Sequence, residues 1–547
     1  MSTKSTFIAL LLFLVVGLFL RTFGLTAAPV EMFGDEIDVG IQANSLFHTG
    51  RDYLGHPMPL SIASFSESRL PFLMYFTVPF VGLFGLHEFA LRLPMVVIGL
   101  ILVLEVFVLA YHFFGRRVAL LSAGLFTFSP WAIHFSRWTN DNVGVLLFIL
   151  PAIYFFAKRN YLLSFSLCAL SFYAYSVATI FTPFLGLALV LAFISLKQLF
   201  SKKIIIAAVV SLVVLAPYIV TVVSSVGSSR FSQISIFGDQ TLLHDLVTRR
   251  SQSTSSLTRY FRNRPIFYFQ EFTNSYLRAF STEFLFFIGD PILRHAPGGM
   301  GMLYLFEIIT IPLGLVWIAR HWHLPSARFL LFWLLISPIS SALTKDGGNH
   351  AGRLIVMLPP LILVSALGLG SLLHRRIVTL GVLLSGLFFF SFFMYRYHVE
   401  WPADSWRFWQ FGFKEGLTYI KDDPRYTGRV FINSTYETAL PRFLFWFEYD
   451  PESFQTQSKS LIYTQDIVPG FSGYVLDNKY YFGTIANNIL SGGFKALLQP
   501  GDVYLASFRD EIGTSDWTTS PTEGISVDKI VYSPTGEKIF AVLSVSP

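Results

Sequence analysis

Cysteine is almost absent: the 547 residues hold one, Cys168, inside an apolar stretch, so no disulfide framework is available in any compartment. Charge is scarce as well. Charged residues make up 14% of the chain against 53% hydrophobic residues, and the mean hydropathy is +0.56, which sets it apart from water-soluble domains. No internal repeat, low-complexity tract or glycine-rich nucleotide loop stands out, so a nucleotide sugar lacks support as a donor. The net charge of +6 does not form a nucleic-acid patch. Its lysines and arginines fall in short clusters between apolar stretches, where a membrane protein places them to set orientation, so no nucleic acid is expected as a partner.

What is present is a series of apolar stretches of bilayer-spanning length, near 6–25, 90–113, 117–135, 142–158, 160–178, 180–198, 203–225, 301–320, 327–344, 353–373 and 377–397. That is about eleven helices of roughly 20 residues each. The short linkers on one side all carry base: Lys4, Arg116 and Arg117, Lys158 and Arg159, Lys197 with Lys202 and Lys203, Arg320 with Arg328, and Arg375 with Arg376. They are expected in the cytoplasm, with the N-terminus, of a multi-pass protein of the plasma membrane. The first stretch lacks a convincing cleavage site and reads as an uncleaved span. The outer face then receives 26–89, the turn 136–141, 226–300, 345–352 and everything after 398. Leu70 to Leu86 is apolar but short and holds Pro71 and Pro79. Counting it as a span would invert every later basic linker, so it is expected along the outer interface as an amphipathic helix.

Residues 1–397 therefore form a transmembrane domain with large outer loops at 26–89 and 226–300. Residues 398–547 read as an extracytoplasmic α/β domain. Within it Trp406 to Ile420 looks helical, and strand-like runs cover Arg429–Ile432, Asp502–Ser507, Asp528–Tyr532 and Lys538–Val545. Pro534-Thr535-Gly536 is a hairpin turn between the last two. Asn433-Ser434-Thr435 is a sequon that says little alone.

The chemistry-bearing residues cluster in the outer loops. Asp35 and Glu36, with Asp38 after them, follow the first span; adjacent carboxylates at a membrane surface suit proton abstraction or cation binding. The structural alternative is that the pair caps a helix running from Ile37, with Asp35 as its N-cap, since acidic residues favour a first turn. Asp141 has the same pair of readings, as a second functional acid or as the cap of the span starting at Asn142. His350 and Arg353, three apart at an outward helix N-terminus, can face one spot beside free backbone N–H groups, and Lys345 lies close by; a lipid phosphate is the natural occupant. Arg249, Arg250, Arg259, Arg262 and Arg264 are either a solvated basic face or a grip on a phosphate-bearing lipid. Glu105 and Glu307 lie inside spans and are expected to be structural, although an intramembrane carboxylate is a functional candidate by default.

The order of these motifs resembles a known family. Asp35-Glu36 opens the loop, His48-Thr49-Gly50 supplies a turn, Arg69-Leu70-Pro71-Phe72 starts an interfacial segment, and Phe84-Gly85 precedes Arg92-Leu93-Pro94. This is similar to the first outer loop of GT-C glycosyltransferases related to polyprenyl-phosphate-mannose protein mannosyltransferases and aminoarabinose transferases. Arg69-Leu70-Pro71-Phe72 keeps one of the family's two prolines. Asp141 matches the family's second acidic residue. Glu283 to Asp290, then Arg294-His295 and Gly298 to Tyr304, resemble an outer-loop signature of a bacterial branch, and His350 with Arg353 resemble its His-x-x-Arg segment.

The resemblance implies an inverting transferase that moves a monosaccharide from a polyprenyl-phosphate-linked donor to an acceptor hydroxyl on a protein, lipid or glycan. Asp35 would be the base. Glu36 and Asp141 would position the acceptor or hold a divalent metal ion, two roles that stay open. Lys345, His350 and Arg353, with Arg69 and Arg294, would hold the lipid phosphate. A lipid-linked sugar flippase would show repeats and midplane charges instead, and a membrane scaffold would not need acids facing basic residues.

Overall fold

The computed structural model describes residues 3–64, 68–223, 235–252, 261–373, 376–485, 493–513 and 524–545. Arg259 and Arg375 lie outside these residues. Most of the described chain to Ser405 is helical. Among the described residues, six helices are long and apolar enough to cross a membrane: α1 (Thr3–Thr22), and the segments Glu88–Phe114, Lys202–Thr221, Pro325–Ala342, Ile355–Leu372 and Arg376–Ser405. Shorter apolar helices, Gly144–Ala157, Tyr161–Ser171 and Ala178–Phe193, occupy three more of the expected segments. The segment expected at 117–135 is broken into Arg116–Phe128 and Pro130–Phe135. The break has a local cause: Ser129 Oγ accepts the Ala132 N–H, and Pro130 takes the first helical position, where its missing N–H costs nothing. The segment at Leu70 to Leu86 forms the helix Phe72–Phe84, shorter than the ~20 residues a crossing needs.

Helix packing follows membrane rules, with small residues at the closest contacts. Glu307–Arg320 lies against Leu358–Leu372, and a Cβ on Gly314 or Gly368 would sit 2.0 Å from the Val364 carbonyl oxygen or 1.8 Å from that of Thr310. The Thr310 and Ser365 hydroxyls, 2.7 Å apart, join the same two helices. Outward faces stay apolar, as at Ile377, Leu380, Leu384 and Leu387. Glu307 opens its helix and accepts the Tyr304 N–H, a capping role.

The C-terminal part is built on a seven-stranded mixed sheet. Its strands are β3 (Val430–Asn433), β4 (Thr464–Val468), β5 (Phe471–Leu476), β6 (Tyr480–Ile485), β7 (Val503–Ser507), β8 (Ile525–Tyr532) and β9 (Lys538–Val545); β1 (Ile62–Ala63) and β2 (Ser68–Arg69) form a separate small pair in the first loop. The order is β4-β5-β6-β3-β7-β9-β8, with β3 parallel to both neighbours. The last two strands form an antiparallel hairpin across Pro534-Thr535-Gly536. Asn433 is fully buried at the end of β3, and its side-chain oxygen accepts the Thr435 and Tyr436 N–H groups.

This C-terminal unit grips the loop that follows α1. Glu31 accepts the Gly412 and Lys414 N–H groups at 2.6 and 2.8 Å, Gln410 accepts the Gly34 N–H at 3.1 Å, and Gln455 donates to Ser45, Thr49 and the Asp52 carbonyl. The helix α2 (Gly34–Thr49), which carries Asp35, is thereby held from the C-terminal side.

Candidate active site

The loop before α2 is irregular backbone, and its carbonyls need donors. Two buried arginines supply them. Arg137 donates to the Leu20, Gly24 and Ala28 carbonyls, and Arg92 to those of Leu25, Pro29 and Glu31. Arg92 also pairs with Glu36 at 3.1 Å, both side chains being fully buried. Glu36 further accepts the Phe33 and Thr139 N–H groups. The Arg92-Leu93-Pro94 motif and half of the Asp-Glu pair thus build the platform on which α2 starts.

Asp35 points the other way, into a cavity of about 270 Å³ lined by Asp35, Arg69, Asp141, Arg294, His295, His350 and Arg353, among others. Its carboxylate accepts from Arg69 Nη2 at 2.6 Å and is half-exposed. The same guanidinium lies 2.7 Å from Asp38 through Nε, although that N–H is not aimed for a hydrogen bond. Burial pushes the Asp38 carboxyl up to about 6, against the pull of Arg69.

The facing residues come from two further segments. After the π-helical turn Glu283–Phe287, Asp290 accepts the Ile292 and Ala351 N–H groups and pairs with His295 Nδ1 at 3.0 Å. The His295 and His350 rings lie 4.5 Å apart. Burial is the main cause that drives His295 down to about 3 and His350 well below its ordinary value, with Arg294 and Arg353 adding for His295, and His295 and Arg353 for His350. Both imidazoles are therefore neutral at pH 7. The Arg294 guanidinium lies 3.7 Å from the Phe33 ring centre. Arg353 is braced by Thr344 Oγ1 and the Lys345 carbonyl, 2.7 and 2.6 Å away.

The comparisons with known proteins agree with this architecture. Residues 68–220 match the family described as dolichyl-phosphate-mannose-protein mannosyltransferase. No curated protein matches the chain. Among solved structures, ArnT from Cupriavidus metallidurans bound to undecaprenyl phosphate superposes with a TM-score of 0.57 at 13% identity, covering 99% of this chain and 98% of that one. The apo state of the same ArnT gives 0.55 at 12% identity with the same coverage. The chain has the GT-C fold.

Within that fold the expected site residues divide. Asp35, Arg69, Asp141, Arg294, His350 and Arg353 line one cavity. Glu36 does not reach it, being enclosed by Arg92. Lys345 turns its ammonium toward Asp239, 3.6 Å away. Capping of α2 falls to Glu36 rather than Asp35: the helix starts at Gly34 with Phe33 as its cap, whose N–H Glu36 accepts, and the helix after Asp141 starts at Gly144 with Val143 as its cap. His350 and Arg353 precede their helix rather than open it. A turn and a 3-10 segment, Ile355–Met357, intervene before Leu358, and Asp290 already takes the Ala351 N–H. Of the basic cluster, Arg249 pairs with Asp245, and none of its described members lines the cavity.

Asp38, Asp290 and His295 were not assigned roles by sequence reasoning. The signal for Asp38 was its spacing, three residues after Asp35 on one helix face. A divalent ion held by Asp35 and Asp141 fits poorly. The Arg69 guanidinium already bonds to Asp35 and acts electrostatically with Asp141, so the positive charge there is supplied by the chain.

Proposed function

We propose that the protein transfers a monosaccharide from a polyprenyl-phosphate-linked donor to an acceptor hydroxyl, with inversion, at the outer face of the plasma membrane. The observation that carries this reading is a half-exposed carboxylate, Asp35, sharing one small cavity with Arg294 and Arg353. A base for the acceptor and cations for the leaving phosphate are the two things such a transfer needs. The cavity, about 270 Å³, lies just below the usual range of ligand-pocket sizes (roughly 300–1,000 Å³), which suits one sugar better than an oligosaccharide. The lipid tail would remain in the bilayer, as the fold's match to an undecaprenyl-phosphate-bound ArnT favours.

In the step itself the acceptor oxygen attacks the anomeric carbon and its proton passes to the Asp35 carboxylate. The bond from that carbon to the phosphate oxygen breaks, and its electron pair leaves with the lipid phosphate. The transition state has oxocarbenium character, so carboxylate charge nearby helps. Arg69 fixes the Asp35 rotamer, and Asp141 orients the acceptor. Arg353 and Arg294 receive the charge that develops on the phosphate. His350, being neutral, contributes a hydrogen bond rather than a charge. The basic linkers favour a cytoplasmic N-terminus and a sheet domain on the outer side.

The test compares lipid extracts from cells making wild type or Asp35→Asn at matched protein levels, with mass spectrometry of polyprenyl-phosphate sugars and free polyprenyl phosphate. One sugar lipid depleted by wild type and spared by the variant supports the reading and identifies the donor. Coinciding profiles would sink it.

A further inference from the structure

We infer that Asp290, His295 and His350 form a binding site for a divalent transition-metal ion in the wall of the cavity. One ligand atom from each of the three lies within 4.8 Å of the others. They come from two separated segments, the 290–295 loop and the turn before the helix at Leu358, so local sequence geometry does not explain their meeting. Asp290 Oδ2 and His295 Nδ1 are 3.0 Å apart, in hydrogen-bond contact, so a bound ion would take the place of the imidazole proton between them. In a tetrahedral set, metal bonds of ~2.0–2.2 Å put neighbouring ligand atoms about 3.3–3.6 Å apart, so a small closing of the three side chains would complete the site.

The carboxylate is preset for this task. Its Oδ1 is fixed by the Ile292 N–H at 2.8 Å and its Oδ2 by the Ala351 N–H at 2.7 Å, the outer-shell support that orients metal ligands. His350 Nδ1 takes only a 3.3 Å contact from the Arg353 N–H, weak enough to yield its lone pair. A two-nitrogen, one-oxygen set favours zinc, cobalt, manganese or iron over magnesium or calcium, which prefer oxygen.

With three protein ligands, one coordination position stays open toward the cavity, as at catalytic rather than structural zinc. An oxygen anion of a bound substrate is the fitting fourth ligand. That last clause rests on the transferase reading; the ion site does not. Arg294 and Arg353 line the same cavity, so affinity is expected to be modest until an anion enters.

The experiment uses the full chain in detergent, stripped with a chelator and titrated with Co²⁺. One equivalent is expected to bind, with ligand-field bands in the visible and nitrogen hyperfine coupling in the electron-spin spectrum. The bands should vanish in His295→Ala and His350→Ala and persist in Asp35→Asn and Asp141→Asn. No stoichiometric binding, or an ion without nitrogen coupling in the wild type, overturns the site without recourse to any variant. Bands that survive both histidine changes and vanish in Asp35→Asn also overturn it. A chain that binds the ion this way yet consumes no lipid-linked sugar sinks the transferase reading and leaves the ion site standing.

Discussion

Asp35 and Glu36 are consecutive acids on the first turn of one helix, yet one lies half-open in a cavity and the other is sealed beneath it. Side chains one residue apart on a helix point about 100° apart, so a helix that forms a cavity wall must send one outward and the other inward. The inward residue then needs a partner, because a buried unpaired carboxylate is too costly to keep. Arg92 meets that need and in doing so gathers the carbonyls of the preceding loop. The pair is therefore two devices: Glu36 places the helix and Asp35 uses the place.

Replacing each member sharpens that division. Glu36→Ala removes one partner of a buried pair and should destabilise the fold by ~3–5 kcal/mol. The expected outcome is little protein in the membrane fraction, or a strongly lowered unfolding temperature in detergent. Asp35→Asn should leave accumulation and unfolding temperature near wild type while donor consumption falls by about 10²–10⁴-fold, the usual worth of a general base. Equal damage to stability from both would break the comparison.

Much of the architecture was legible in advance because apolar length and basic linkers are one-dimensional signals. Helices lie in the expected segments, and four of the seven strands of the large sheet were expected from their β-branched runs. The missed strands show what the pattern cannot carry. Thr464–Val468 is an edge strand with exposed, polar residues, and Phe471–Leu476 pairs Gly473 against Gly483 at close approach. For the cavity, residue types announced themselves but directions did not. Glu36 and Lys345 have suitable chemistry and nearby positions, and only tertiary contacts with Arg92 and Asp239 decide that both turn away. Asp290 and His295 were legible only as part of a signature, since their meeting with His350 depends on a long-range contact.

Asp38 tests the cavity side of α2 at intermediate strength. Its carboxyl is raised from an ordinary 3.8 to about 6 by burial. The native state therefore holds a proton that the unfolded chain has lost between those values. The resulting stabilisation is complete below about pH 3.8 and disappears as pH rises through 6. In Asp38→Asn that part of the fall in unfolding temperature between these pH values should flatten, measured in detergent across the window. An unchanged slope would mean that Asp38 is not the titrating group.

The smallest effect should come from the cation that turns away, set against the one that does not. Arg353 lines the cavity with its guanidinium braced by Thr344 and the Lys345 carbonyl, so Arg353→Gln should cost about 10²–10³-fold in transfer, as losing one preorganised donor does. Lys345→Ala keeps that carbonyl and removes only a partly exposed ion pair with Asp239, worth ~0–1 kcal/mol. Its donor consumption should stay within about twofold of wild type, a change that carries ~0.4 kcal/mol at most. Side-by-side rates with one sugar lipid decide the matter. A loss in Lys345→Ala as large as in Arg353→Gln would mean that the ammonium leaves Asp239 and enters the cavity when the donor binds.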